Sequence, residues 1–150
     1  MSQSLSCILI HIIFSTKMRR PFIHSKIQQD LHSYMAGTAK ALDCYVHKIG
    51  GVEDHVHLLL SLPRTLTLSK LIEEVKKGSS KWVKTKGEAY KDFSWQKGYG
   101  AFSIGQSNFG ALQKYIENQA EHHKKVSFQD EFRVFLKKYG IEYDENYLWE

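Results

Sequence analysis

Two histidines one residue apart, His55 and His57, open the run Asp54-His55-Val56-His57-Leu58-Leu59-Leu60-Ser61-Leu62. Side chains alternate across a strand, so residues two apart share a face. His55 and His57 therefore point the same way, with Leu59 and Ser61, while Val56, Leu58, Leu60 and Leu62 point into a core. Two imidazoles side by side on a rigid strand make half of a site for a divalent metal. Alone, the pattern fits better as two polar residues on a half-buried strand. A second pair lies downstream, where Tyr115 and Gln119 stand four apart on an expected helix and so share a face about one turn apart. If that face meets the histidines, two imidazoles and a carboxamide oxygen could hold one Mg²⁺ or Mn²⁺ beside the tyrosine, with positions left for a phosphate. A tyrosine hydroxyl, with a pKa near 10, is a poor nucleophile without a metal or a base. Its attack on a phosphodiester would leave a phosphotyrosine ester, which conserves the energy of the broken bond and suits rejoining rather than hydrolysis. Taken singly, Tyr115 fits a core aromatic and Gln119 a solvated helix residue.

The elements that must position these groups follow from periodicity. Residues 5–15 read as a strand, with Ile8, Ile10, Ile12 and Phe14 on one face and Cys7, Leu9 and His11 on the other. The basic turn Lys17-Met18-Arg19-Arg20-Pro21 stops it. Ile27, Leu31, Tyr34, Thr38 and Leu42 then recur at helical spacing over 25–42. A short strand over 44–50 ends at a Gly50-Gly51 turn, and the histidine strand follows. Thr67 caps a helix reaching about residue 85, with Leu71, Ile72, Val75 and Val83 inward and Lys70, Lys76, Lys77, Lys81 and Lys84 outward. A glycine-rich strand over 98–104 allows close approach by backbone or ligand. A long helix over 109–125 carries Tyr115, and an aspartate-type capping box at 127–130 opens a last helix that Gly140 stops. The order β-α-β-β-α-β is the ferredoxin-like arrangement. The expected fold class is α+β, with an antiparallel sheet, two helices on one face, and two additional C-terminal helices. The first of these lies across the histidine face. One domain is expected over 1–150, with the ferredoxin-like core at 1–105, the C-terminal helices at 106–140 and an acidic, aromatic tail at 141–150.

Composition narrows the function classes. A chain of 150 residues with 42% apolar content suits one globular core. No apolar run approaches the roughly 20 residues that span a bilayer. Residues 5–14 lack a basic leader and a small-residue cleavage site, so no signal peptide is expected. Cys7 and Cys44 have no metal or redox spacing and read as free thiols of a cytoplasmic protein. The net charge of +5 favours a polyanionic partner. No HExxH or Walker-type motif is present, so a zincin protease and a nucleotide cofactor have no support. A DDE-type carboxylate cluster cannot be placed.

Together the motifs resemble the small single-tyrosine HUH transposases of bacterial and archaeal insertion sequences, the IS200-like transposase family. His55-Val56-His57 resembles its HUH signature, and Tyr115-Ile116-Glu117-Asn118-Gln119 its YxxxQ helix. Phe14-Ser15-Thr16-Lys17 with Arg19-Arg20-Pro21, Gly98-Tyr99-Gly100-Ala101-Phe102-Ser103, and His122-His123 after Gln119 also look like that family. The resemblance runs in order through nearly the whole chain. It implies a homodimer that binds single-stranded DNA hairpins at an element's ends. It implies that Tyr115 attacks the scissile phosphate, keeps a 5′-phosphotyrosine and frees a 3′-hydroxyl, while His55, His57 and Gln119 ligate Mg²⁺ or Mn²⁺. In relatives the tyrosine helix can serve the histidine pair of the other subunit.

Around this set, Asp54 is a candidate support behind a metal ligand, or a turn residue. His123 is a candidate near the metal or a phosphate, or a solvated helix residue. His11 shares the histidine face and is expected to be buried and hydrogen-bonded. Lys17, Arg19, Arg20, Lys76, Lys77 and Lys81 are candidates for DNA phosphates, although a lysine-bearing outer face is ordinary for an amphipathic helix. Trp95, Tyr99 and Phe102 are candidates for stacking on unpaired bases, with core packing the better use of Phe102. Two other readings compete. One is a catalytically silent or domesticated hairpin-binding protein, against which the intact His55, His57, Tyr115 and Gln119 argue. The other is a metal-dependent hydrolase without covalent chemistry, which needs further carboxylate or histidine ligands and survives loss of Tyr115.

Overall fold

The histidine strand lies in the interior of a four-stranded sheet. A computed structural model describes residues 2–150. Strands β1 (Leu9–Ser15), β2 (Tyr45–Val52), β3 (His55–Ser61) and β4 (Gly100–Ser103) pair antiparallel in the order β2-β3-β1-β4. Helices α1 (Ser25–Ala41) and α2 (Leu68–Lys84) connect them in the expected β-α-β-β-α-β sequence. Alternation then sorts the side chains. Ile10, Ile12 and Phe14 of β1 and Val56, Leu58 and Leu60 of β3 meet Leu31 and Met35 of α1 and Leu71 and Val75 of α2 in the main core. The opposite face is covered by α3 (Phe109–Glu117), α4 (Gln119–His122) and α5 (Phe128–Lys138). There Ile13 and Phe102 pack with Phe128, Phe132 and Leu136 of α5.

The caps expected from sequence are present. Thr67 Oγ1 accepts from the Lys70 amide at 3.2 Å, and Ser127 Oγ accepts from the Asp130 amide at 3.2 Å. Cys7 and Cys44 are free thiols. Among the described residues no helix is long and apolar enough to cross a membrane.

Several boundaries depart from periodicity. Strand β1 begins at Leu9 rather than residue 5, because its ladder starts opposite Ser61 at the end of β3. Strand β2 continues through the glycine pair to Val52, and Glu53 and Asp54 make the turn. Gly50 is needed inside the strand because a Cβ there would lie 2.4 Å from the Ile116 carbonyl oxygen of α3. A bulge between Val46 and Lys48 shifts the alternation of β2. At Gly100 a Cβ would lie 2.6 Å from the Phe132 ring, so a side chain of α5, not a ligand, makes the close approach there. The single long helix over 109–125 is broken at Asn118, whose φ of −98° and ψ of 24° leave the helical region. The break separates Tyr115 and Gln119 onto α3 and α4.

Candidate active site

His55 and His57 are both fully buried, on the β3 face beneath α3, α4 and α5. The His55 Nδ1–H donates to Asp54 Oδ1 at 2.7 Å, which leaves Nε2 facing inward. Gln119 Oε1 lies 3.0 Å from that Nε2, and the Gln119 amide is oriented by donating from its own Nε2 to the Tyr115 carbonyl at 3.3 Å. His57 is held from behind by His11, whose Nε2 is 2.7 Å from His57 Nδ1, with the two rings stacked. His11 is thus buried and hydrogen-bonded, as its strand position suggested.

A residue not singled out from the sequence closes the site. Glu131 of α5 is 2% exposed, and its Oε1 lies 2.9 Å from His57 Nε2 and 3.4 Å from His55 Nε2. Its Oε2 accepts a hydrogen bond from the Tyr115 hydroxyl. The same oxygen is 3.2 Å from Nε2 of both His122 and His123. Ligating atoms of His55, His57, His123 and Glu131 all lie within 4.8 Å of one another. The signal for Glu131 was available, because position 131 falls between Phe128 and Phe135 on the apolar stripe of its helix, where a charged residue is out of place.

The electrostatics follow from burial and from this one carboxylate. Burial alone would raise the Glu131 pKa, but hydrogen bonds and charge from His123 and His57 outweigh it and hold the carboxyl well below the usual range. Burial pushes His57 down to about 4, so it is neutral at pH 7. Burial also opposes charging of His123, but Glu131 outweighs it and raises that pKa. The Tyr115 hydroxyl is pushed well above its ordinary value, first by burial and then by the negative charge of Glu131. Its proton therefore stays on until a cation enters or that charge is neutralised. A cleft of about 480 Å³ between α3 and α5, lined by Leu112, Tyr115, His122, Glu131, Phe135 and Tyr139, leads from solvent to the hydroxyl.

The donor set fits a divalent cation. With Nδ1–H committed to Asp54, His55 Nε2 turns a lone pair toward the oxygens of Gln119 and Glu131. Acceptors that face acceptors in a buried pocket call for a cation between them. Tyr115 and the histidine pair meet within one chain, and His123 joins them, while Asp54 supports His55 as well as ending the β2–β3 turn.

The DNA-contact candidates divide. Lys17 and Arg20 are exposed on the turn after β1, whose last residue, Ser15, pairs with His55. Arg19 is half-buried over the Trp149 ring. Lys76 is corrected. Its Nζ donates to the carbonyls of Gln96, Lys97 and Gly98 at 2.7, 3.2 and 2.7 Å, which uses all three of its protons, and burial pushes its pKa to about 8. Lys77 and Lys81 are exposed on α2, in the helix layer on the far side of the sheet from the histidines. Trp95 is also corrected as a base-stacking residue, since it is buried against Phe14 and Phe93 with its indole N–H donating to Ser79 Oγ at 2.9 Å. Phe102 is core, stacked on Phe135 and Tyr139, and Tyr99 remains partly exposed.

Comparison with known proteins addresses the family and the fold. A family model described as "Transposase IS200 like" matches residues 4–119. The transposases for insertion sequence element IS200 of Salmonella typhimurium strain LT2 and of Salmonella typhi are each 25% identical over 122 residues, 76% of this chain and 78% of theirs. Two solved structures share the fold. One, from Deinococcus radiodurans R1 and assigned as a transposase, superposes with a TM-score of 0.62 at 20% identity over 79% of this chain and 98% of its own. The other, a REP-associated tyrosine transposase bound to a REP hairpin, gives 0.63 at 17% identity over 84% of this chain and 76% of its own.

Proposed function

The chain belongs to the IS200-like transposase family, and from that premise we propose that it cleaves and rejoins single-stranded DNA at hairpin-flanked element ends through a covalent 5′-phosphotyrosine on Tyr115. The observation that carries this reading is the convergence of the Tyr115 hydroxyl with His55, His57 and Gln119 in one buried pocket that opens along the α3–α5 cleft. His55 Nε2, His57 Nε2 and Gln119 Oε1 would hold Mg²⁺ or Mn²⁺. When bound, that ion supplies Lewis-acid polarisation of a phosphoryl oxygen.

The chain's own groups do the rest. Asp54 and His11 hold the imidazoles in the orientation that turns both Nε2 atoms inward. Tyr115 Oη forms a bond to phosphorus while the bond from phosphorus to the 3′-oxygen breaks, so the strand end leaves as a 3′-hydroxyl. Glu131 Oε2 accepts the Tyr115 hydrogen bond and orients the hydroxyl, while the proton that Tyr115 gives up to solvent is balanced by the one the departing 3′-oxygen takes from solvent. Rejoining is the reverse, with a 3′-hydroxyl displacing the tyrosine. Lys17, Arg19 and Arg20 sit at the sheet end nearest His55 and would hold backbone phosphates there. The protein would act as a homodimer in the cytoplasm on hairpin-bearing strands, and the relative bound to a REP hairpin supports DNA of that kind as the partner.

A metal-dependent hydrolase gains one specific point, because His123 and Glu131 supply the further ligands that reading lacked. One experiment separates the alternatives. Hairpin-bearing single-stranded DNA is incubated with wild type and Tyr115→Phe, in Mg²⁺ or EDTA, and run on a denaturing gel. The expected result is a metal-dependent protein–DNA adduct that Tyr115→Phe abolishes. Nicking that persists in Tyr115→Phe would transfer the case to the hydrolase, and tight hairpin binding with no nicking would favour a silent binding protein.

A further inference from the structure

We propose that Glu131 is itself a metal ligand, so that the bound ion fastens α5 to the sheet and holds Tyr115 one carboxylate away. The inference rests on the divalent-metal reading above and changes the ligand set.

The first argument is charge. Imidazole and carboxamide ligands carry no charge, so a Mg²⁺ or Mn²⁺ held by His55, His57 and Gln119 alone would have no anionic partner. Hard divalent cations take oxygen ligands, and Mg²⁺ sites ordinarily include one or two carboxylates. Glu131 Oε1 faces the same two Nε2 atoms that any ion at the histidine pair must face, at 2.9 and 3.4 Å.

The second argument concerns what compensates Glu131. Two acids stand in the first turn of α5. Asp130 is exposed and pairs with Arg133 at 3.1 Å. Glu131, buried one residue later, has no lysine or arginine within ion-pair distance among the described residues, and its neighbours are imidazoles and a tyrosine. His122 and His123 stand on its Oε2 side, so the side on which it lacks a cationic partner is Oε1, toward the histidine pair. A cation between Glu131, His55 and His57 supplies that partner.

The third argument is placement. Phe128, Phe132 and Leu136 bury α5 against Ile13 and Phe102, so the helix presents Glu131 to the pocket from fixed backbone. The two oxygens are divided, with Oε1 toward the histidine pair and Oε2 on the Tyr115 hydroxyl. The carboxylate therefore joins the nucleophile to the metal position, and the ion adds a tie between α5 and the sheet beyond the apolar packing.

The test uses the full chain without DNA. Mn²⁺ binding is titrated by electron paramagnetic resonance for wild type and Glu131→Gln, and amide exchange of α5 is followed with and without saturating Mn²⁺. The expected result is that Glu131→Gln weakens Mn²⁺ binding by about tenfold or more. Mn²⁺ should also slow exchange across α5 in wild type but not in the variant. Binding by Glu131→Gln as tight as wild type, or tighter, overturns the proposal and makes the carboxylate an occupant of the cation's place. So does an α5 whose exchange in wild type ignores Mn²⁺, a readout that needs no variant to fold. A wild type that binds no Mn²⁺ overturns the metal reading as a whole, which separates that failure from failure of the Glu131 assignment alone.

Discussion

The two faces of β3 are equally buried and differ in what they bury. Val56, Leu58 and Leu60 meet α1 and α2, while His55 and His57 meet the C-terminal helices with Leu59 on their face of the strand, and every one of the six is at most 1% exposed. On the first face any well-fitting apolar side chain serves, because dispersion and exclusion of water are not directional. On the second face each imidazole nitrogen needs a particular partner. His55 finds Asp54 and Gln119, and His57 finds His11 and Glu131. One side of the strand is therefore held by volume and the other by paired polar atoms drawn from β1, the β2–β3 turn, α4 and α5. Substitutions should separate stability from chemistry along that line.

The largest expected effect lies on the apolar face. Leu58→Ala should destabilise the fold by about 2–5 kcal/mol in urea titration, with cleavage per folded molecule unchanged. A loss of cleavage without a loss of stability would dissolve the contrast between the faces.

Next comes acid. His32 on α1 and His57 on β3 are both pushed down to about 4 by burial. The unfolded chain takes up these protons below about pH 6.5, whereas the folded chain resists until about 4. Stability is thus complete above pH 6.5 and falls as pH drops toward 4, by at most about 3 kcal/mol for each group. Urea midpoints at pH 7, 5.5 and 4 measure the slope, which His32→Leu should make shallower by one proton. An unchanged slope in His32→Leu would remove His32 from the account.

On the polar face, Asp54→Ala should lower Mn²⁺ affinity about 10- to 100-fold by freeing the His55 ring. Its effect on stability should be small, since Asp54 is partly exposed. Unchanged affinity would make Asp54 a turn residue only.

The smallest effect is expected farthest from the site. Lys77→Gln with Lys81→Gln should leave stability within about 0.5 kcal/mol and hairpin affinity close to wild type. Arg20→Gln should weaken binding and reduce its salt dependence by about one counterion. If the α2 lysines matter more than Arg20, the DNA path crosses the other layer.

Much of this site could be read along the chain. The alternation of β3 put His55 and His57 on one face, and helical spacing put Tyr115 beside Gln119. The capping residues Thr67 and Ser127 announced their helices, and the element order announced the sheet. Those features are periodic, and a period is a property of one element, dictated by backbone geometry and read within ten or so residues.

The rest depended on how elements meet. Asn118 breaks the tyrosine helix, a bulge re-aims β2, and Gly50 serves a close helix contact while the turn falls at Glu53 and Asp54. Lys76, to all appearance a free lysine on an outer helix face, caps three carbonyls of a loop that only the fold brings beneath it. Glu131 lies out of place on the apolar stripe of its helix, but only the docking of α5 carries it between the histidines and Tyr115. Sequence by itself determined which faces carry chemistry and which carry core. The tertiary structure decided which partners those faces receive, because the convergence of side chains from separate elements is set by packing across the sheet and not by the spacing within any one of them.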